Sequence, residues 1–128
     1  MIDHRFSTSA TTRSVPRLPF LRIKNDILGP SYILSLVLVG ARRARALNEK
    51  TRGKTYIPNV LSFPLSAMHG EIYLTPALAR AEAMGRGMTA RGYAGFLFIH
   101  ALLHLKGLRH GDTMEKLEQR YCHRYGLA

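Results

Sequence analysis

The stretch "IHALLHLKGLRH" at residues 99–110 carries three histidines, His100, His104 and His110, with Gly107 between the last two. Four residues of α-helix turn about 400° and rise about 6 Å, so His100 and His104 project from one face, one turn apart. Continued unbroken, the same helix would carry His110 about 240° away from His104. For all three to meet, the helix must stop and the chain must double back, and glycine is the residue type that permits such a left-handed exit. Three neutral imidazoles around a divalent ion leave one coordination position open, the arrangement of a catalytic rather than a closed structural site. Water bound in such a position has its pKa lowered to about 7. The bland alternative is three ordinary histidines near the end of an apolar helix. Gly107 and His110 at their offsets, on a helix otherwise too apolar to favour histidine, argue for the metal.

Working outward, "TARGYAGFLFIHALLHLKG" at 89–107 runs from a Thr89 N-cap to the Gly107 stop. Phe96, Leu97, Phe98, Ile99, Leu102, Leu103 and Leu105 surround this helix instead of striping it, which predicts a place in the middle of the fold. Downstream, Asp112 and Glu115 predict a capping box, with Met114, Leu117, Tyr121 and Tyr125 as the seam of a last helix ending at Gly126. Upstream, Pro76 suits the first position of a helix over "ALARAEAMG" closed by Gly85. "NVLSFP" at 59–64 and "GEIYLT" at 70–75 read as short strands, and "YILSLVLV" at 32–39 as a buried one. The strand at 32–39 feeds a helix from Ala41, with Ala44, Leu47 and Thr51 on one face and Arg42, Arg43, Arg45 and Lys50 elsewhere. Residues Pro16–Leu28 predict a short helix stopped at Gly29-Pro30, with Leu18, Leu21, Ile23, Ile27 and Leu28 as its apolar positions. The expectation is a single α+β domain over 1–128, a small mixed β-sheet packed against helices with a buried central metal-binding helix.

Composition narrows the classes. At 128 residues, with 46% hydrophobic and 21% charged residues, the chain can build one modest core. A single cysteine, Cys122, excludes an internal disulfide and a Cys-based zinc cluster, so cytoplasmic localisation is the expectation and a metal site must use histidines. Cys122 itself reads as a small core residue. Nineteen Lys and Arg against eight Asp and Glu give a net charge of +11, a field that concentrates polyanions and makes RNA or DNA the first partner to consider. The longest apolar run, "YILSLVLVG", is too short to span a membrane. "HRFSTSATTRSVPRLPFLRIK" at 4–24 has the Arg, Ser and Thr of an organellar transit peptide but neither a secretory core nor a clear amphipathic helix, so residues 1–15 are expected to form an irregular arm or edge strand.

The spacing H-x3-H-x2-G-x2-H also matches the metzincin proteases. Their general-base Glu directly follows the first histidine, where this chain has Ala101, and no Met-turn can be placed in the residues after His110. Three separated blocks point elsewhere: "LNEKTRGK" at 47–54, "NVLSFP" with "GEI" at 70–72, and "HALLHLKGLRH" at 100–110. In this order they resemble the YbeY family of bacterial endoribonucleases, the rRNA maturation factors. That resemblance implies a metal-dependent endoribonuclease acting on single-stranded ribosomal precursor RNA, including the 3′ end of 16S rRNA. It implies zinc or another divalent ion on His100, His104 and His110, and a catalytic or substrate-binding role for Arg52. It further implies the ribosome or small-subunit assembly factors as partners.

Departures from the family pattern are Ala101 for Gly, Arg109 for the Asp before the third histidine, Glu71 for Asp and Pro58 for Thr. Arg109 sets a positive charge where a carboxylate could support a ligand, a loss typically costing about 10- to 100-fold in metal binding or activity. Asp112 could substitute, although the N-cap role suits it better. Arg52 matches phosphate through its planar fork. Lys54, Arg42, Arg43, Arg45 and Lys50 are further RNA-binding candidates against the ordinary reading of a solvated helix face, and Arg80, Arg86, Arg91 and Lys106 could widen the surface. Tyr56 and Phe63 could stack on bases, although Phe63 in a strand suits the core. His4, His69 and His123 have no partner at ligand spacing and are expected at the surface. The other readings are a non-catalytic basic RNA- or ribosome-binding module with a structural metal, and a metzincin-like protease of unusual design.

Overall fold

The computed structural model describes residues 5–12 and 15–127. In chain order the elements are β1 (Phe6–Ala10), α1 (Phe20–Leu28), β2 (Ile33–Leu38), α2 (Ala41–Arg52), β3 (Val60–Ser66), β4 (His69–Leu74), α3 (Pro76–Gly85), α4 (Ala90–Leu105) and α5 (Asp112–Arg124). They form the mixed α+β architecture expected, with one sheet in the order β1-β2-β4-β3. β1 and β4 both run parallel to β2, and the short hairpin makes β3 antiparallel to β4. Parallel neighbours need crossover connections, which α1 and α2 provide.

Burial of the sheet is one-sided. Leu34, Leu36 and Leu38 of β2 and Ile72 and Leu74 of β4 are buried on one face. Ser35, Val37, Glu71 and Tyr73 on the other face are only half-buried. The reading of 32–39 as a buried strand therefore holds for alternate residues, as the pleat dictates. Phe63 shares the half-buried face, edge-on to Tyr73 with ring centroids 5.8 Å apart, and stands outside the core where it was expected.

α4 occupies the centre and packs against α1, α3, α5, β3 and β4, which explains its apolar residues on every side. Thr89 caps it, its hydroxyl accepting from the Gly92 N–H at 2.9 Å. Gly92 and Gly95 face the C-terminal residues, and a Cβ on Gly92 would lie 2.4 Å from the Leu127 carbonyl oxygen.

Three local expectations are corrected. α1 begins at Phe20, not Pro16, and buries Phe20 and Ile23 while Leu21 faces solvent. The inner positions of α2 are Ala44 and Asn48, Leu47 is half-buried, and Thr51 is exposed, its hydroxyl donating back to the Leu47 carbonyl at 2.7 Å. The cap of α5 is Gly111 at φ 153°, so Asp112 is the first helical residue and makes no cap bond. Asp112 and Glu115 instead place negative charge in the first turn, where the helix dipole favours it. The most buried residues of α5 are Met114, Glu118 and Cys122, while Leu117, Tyr121 and Tyr125 of the expected seam are partly buried against the same core. Burial, followed by the nearby Glu118 charge, pushes the Cys122 thiol up to about 11.

Gly92→Ala should force the C-terminal backbone away from α4. The expected result is a loss of about 1–3 kcal/mol of unfolding free energy in urea titrations, with an unchanged m-value.

Candidate metal centre and groove

His100 and His104 stand one turn apart on the groove-facing side of α4, toward its C-terminal end. The helix stops at Leu105, and Gly107 takes φ 105°, a left-handed value that turns the chain. Its N–H donates to the His104 carbonyl and the Leu108 N–H to the Leu103 carbonyl, both at 3.0 Å, so the exposed helix-end carbonyls are satisfied by the turn itself. The returning chain brings the His110 ring centroid to 5.0 Å from His100 and 4.7 Å from His104. One ligand nitrogen from each ring lies within 4.8 Å of the others. Both steps of the geometric reading, the stop at Gly107 and the return of His110, are present.

The rings are oriented from behind. His104 Nδ1 donates to the Leu108 carbonyl at 3.1 Å, so the turn that returns His110 also sets the tautomer of His104. His100 Nδ1 donates to the Glu118 carboxylate at 2.5 Å. With both Nδ1 atoms acting as donors, each neutral ring keeps only an Nε2 lone pair, and the two Nε2 atoms face each other at 3.1 Å. Two lone pairs at that separation repel, and a cation between them removes the repulsion. Burial, and then the neighbouring His100, holds His104 below the ordinary imidazole pKa, so it is neutral at pH 7 and free to ligate. The donor set and its support fit a divalent ion of the kind that imidazole binds.

Glu118 was missed at the sequence level. It is 6% exposed and lies on α5, eight residues beyond His110, so nothing in the histidine motif points to it. The available signal was the four-residue spacing of Met114, Glu118 and Cys122, which sets a carboxylate on an otherwise apolar helix face. Arg109 is exposed, and Asp112 takes no cap bond, so the supporting carboxylate comes from a different element than either position suggested.

Arg52 closes α2 and lines the same groove as the three histidines. Gly53 at φ 66° ends the helix, its N–H donating to the Glu49 carbonyl at 3.0 Å. Asn48, fully buried one turn earlier, donates through Nδ2 to the Tyr56 carbonyl at 3.0 Å and accepts from Arg52 Nη1 at 3.2 Å. The Tyr56 hydroxyl accepts from the same Nη1 at 3.1 Å. Asn48, Arg52 and Gly53 thus work as a bracket, and the Tyr56 hydroxyl helps hold the arginine while the ring stays exposed. Both acceptors are neutral, so the guanidinium keeps its charge uncompensated.

The groove has a volume of about 510 Å³, within the range of ligand sites. One wall is α4 with Tyr93, Phe96, His100 and His104. The other is residues 59–63, whose consecutive contribution marks the edge of β3 rather than one face. Arg52 and Arg86 flank it, and among the described lining residues none is acidic. Of the basic run at 42–54, Arg52 is the member that reaches the groove. Arg42, Arg43, Lys50 and Lys54 are exposed outside it, and Arg45 lies 3.7 Å from Glu49. Arg91 donates to the Arg17 carbonyl at 3.0 Å, and Lys106 lies by Tyr32 and Met68. His69 is half-buried, His123 is exposed, and neither joins the cluster; His4 lies outside the described residues.

Fold and site together define a small mixed α+β protein with a three-histidine cluster able to hold a metal ion beside an arginine. The family model described as Endoribonuclease YbeY matches residues 8–126. The Helicobacter pylori 26695 protein named Endoribonuclease YbeY is 37% identical over 99 residues, covering 74% of this chain and 69% of the relative. Its namesake from Cutibacterium acnes is 36% identical over 100 residues, covering 68% and 64%. The chain belongs to the YbeY family. The solution structure of TM1509 from Thermotoga maritima matches the fold with a TM-score of 0.68 at 24% identity, covering 91% of this chain and 86% of that one. Among the described residues no helix is long and apolar enough to cross a membrane.

Glu118→Ala removes the acceptor behind His100. Competition with a chromophoric chelator is expected to show metal affinity about 10- to 100-fold weaker, with Glu118→Gln intermediate.

Proposed function

We propose that this chain is a metal-dependent, single-strand endoribonuclease that acts in ribosomal RNA maturation in the cytoplasm. The observation that carries this reading is the convergence of three ligand histidines and Arg52 on one groove that has no acidic wall among the described residues. Zinc is the ion that three imidazoles with an open position suit best. The YbeY relatives are named endoribonucleases, which supports RNA as the substrate. Processing at the 3′ end of 16S rRNA, in the company of the ribosome or small-subunit assembly factors, is the role the family membership suggests.

Cleavage of a phosphodiester requires charge stabilisation on a phosphorane-like transition state. Arg52 donates to non-bridging phosphate oxygens through the N–H groups left over from Asn48 and Tyr56, in a geometry those two residues fix before substrate arrives. His100, His104 and His110 would hold a divalent cation, which would supply Lewis-acid charge to the reaction. Glu118 and the Leu108 carbonyl keep the His100 and His104 rings in the tautomer that offers Nε2. The edge of β3 and the α4 wall leave a trough open at its His110 end, suited to a flexible strand. Ala101, buried beside His100, gives no carboxylate for the water activation a peptidase needs.

A single-stranded RNA cleavage assay run beside elemental analysis tests this reading. Arg52→Ala is expected to keep its metal and lose about 100-fold or more in cleavage rate, whereas His104→Ala loses both. Wild-type cleavage by Arg52→Ala would remove that residue from the mechanism. Metal-replete wild-type protein that binds RNA without cutting it would leave a binding module with a structural ion.

A further inference from the structure

The groove has a second arginine that no step above uses. Arg86 follows α3, and its guanidinium carbon lies 4.9 Å from the centroid of the Tyr93 ring. Tyr93 is a fixed platform, only 1% exposed, with its hydroxyl 3.5 Å from Asn59 Nδ2. That amide in turn donates to Glu82 Oε1 at 3.1 Å, which engages the nearby carboxylate. Among the described residues no carboxylate is ion-paired to Arg86, in contrast to Arg45 with Glu49 and Arg124 with Asp26. A guanidinium carries five N–H donors, so its contact with Tyr93 leaves others to meet an anion.

The placement relative to the histidines is regular. Tyr93 and His100 are seven residues apart on α4, about 10 Å along its axis. Phe96 stands between them, half-buried, its ring 5.9 Å from Tyr93 at an interplanar angle of 14° and 6.0 Å from His100. One groove wall therefore runs from an arginine without an ion pair among the described residues, past an aromatic ring, to the histidine cluster. A charged track interleaved with rings is what single-stranded nucleic acid binds.

We propose that Arg86, seated on Tyr93, holds a phosphate of the RNA strand that flanks the one at the histidine cluster, giving the groove a second phosphate subsite. This inference rests on the reading of the groove as an RNA site. Arg86 is a positioning residue: it engages the strand away from the reacting phosphate, so it acts on longer substrates and leaves the shortest ones unaffected.

Binding of a 2′-O-methyl oligoribonucleotide of about eight nucleotides, checked on a gel to stay uncut, to the metal-loaded protein, measured by anisotropy over a salt series, tests it. Arg86→Ala is expected to weaken binding roughly five-fold and to lower the slope of log affinity against log salt by about 0.7, the value for one lost phosphate contact. Arg86→Lys should keep the slope, and a dinucleotide should bind both variants and wild type alike. An unchanged slope in Arg86→Ala, even with lower affinity, would mean that Arg86 only packs on Tyr93 and would overturn the proposal. Wild-type protein that fails to bind the oligonucleotide at all would overturn the RNA reading itself, and this inference with it.

Discussion

A straight α-helix cannot aim three residues spaced as His100, His104 and His110 at one point, since its pitch sends the third to the far side. The rest of the site depends on how the chain escapes that constraint. Gly107 adopts a backbone conformation that other residues reach only with strain, and the turn it makes does three jobs at once. It satisfies the end of α4, returns His110 to the cluster, and points the Leu108 carbonyl at His104 Nδ1. Ligand placement and ligand orientation thus come from a single backbone event.

Around that turn, His100 and Arg52 are each held by neighbouring side chains. Glu118 of α5 supports His100 from behind. Asn48 and Tyr56 fix Arg52 at the end of α2. α4 is buried except along its groove face, so these partners are set against a packed axis. Placing two of the ligands and the arginine on helices helps keep the constellation within the tolerance that chemistry requires. The absence of acidic walls among the described lining residues then gives the groove its preference for anions.

The parts of this arrangement that were legible in the sequence are those encoded by short-range periodicity. The histidine phase, the Gly107 exit, the Thr89 cap and the order of strands and helices all follow from spacings of a few residues. Arg52 came from a motif resemblance, and the bracket of Asn48 and Gly53 explains why that motif has its form. Contacts between distant elements were not legible. His100 and Glu118 are eighteen residues apart and meet only because α5 docks with Glu118 inward, a rotation that the seam of Leu117 and Tyr121 concealed. Arg86 was one of several scattered cations until α3 and α4 packed and set it over Tyr93. The capping box at Asp112 failed because Gly111, in a conformation open to glycine, already turns the chain.

The central claim is that the three imidazoles share one divalent ion and leave room beside it. X-ray absorption at the metal edge of purified, zinc-loaded protein tests this most directly. The account predicts one ion per chain with three imidazole nitrogens at about 2.0–2.1 Å and a light oxygen completing the coordination. A spectrum fitted by fewer than three imidazoles, or by a sulfur ligand from Cys122, would contradict it.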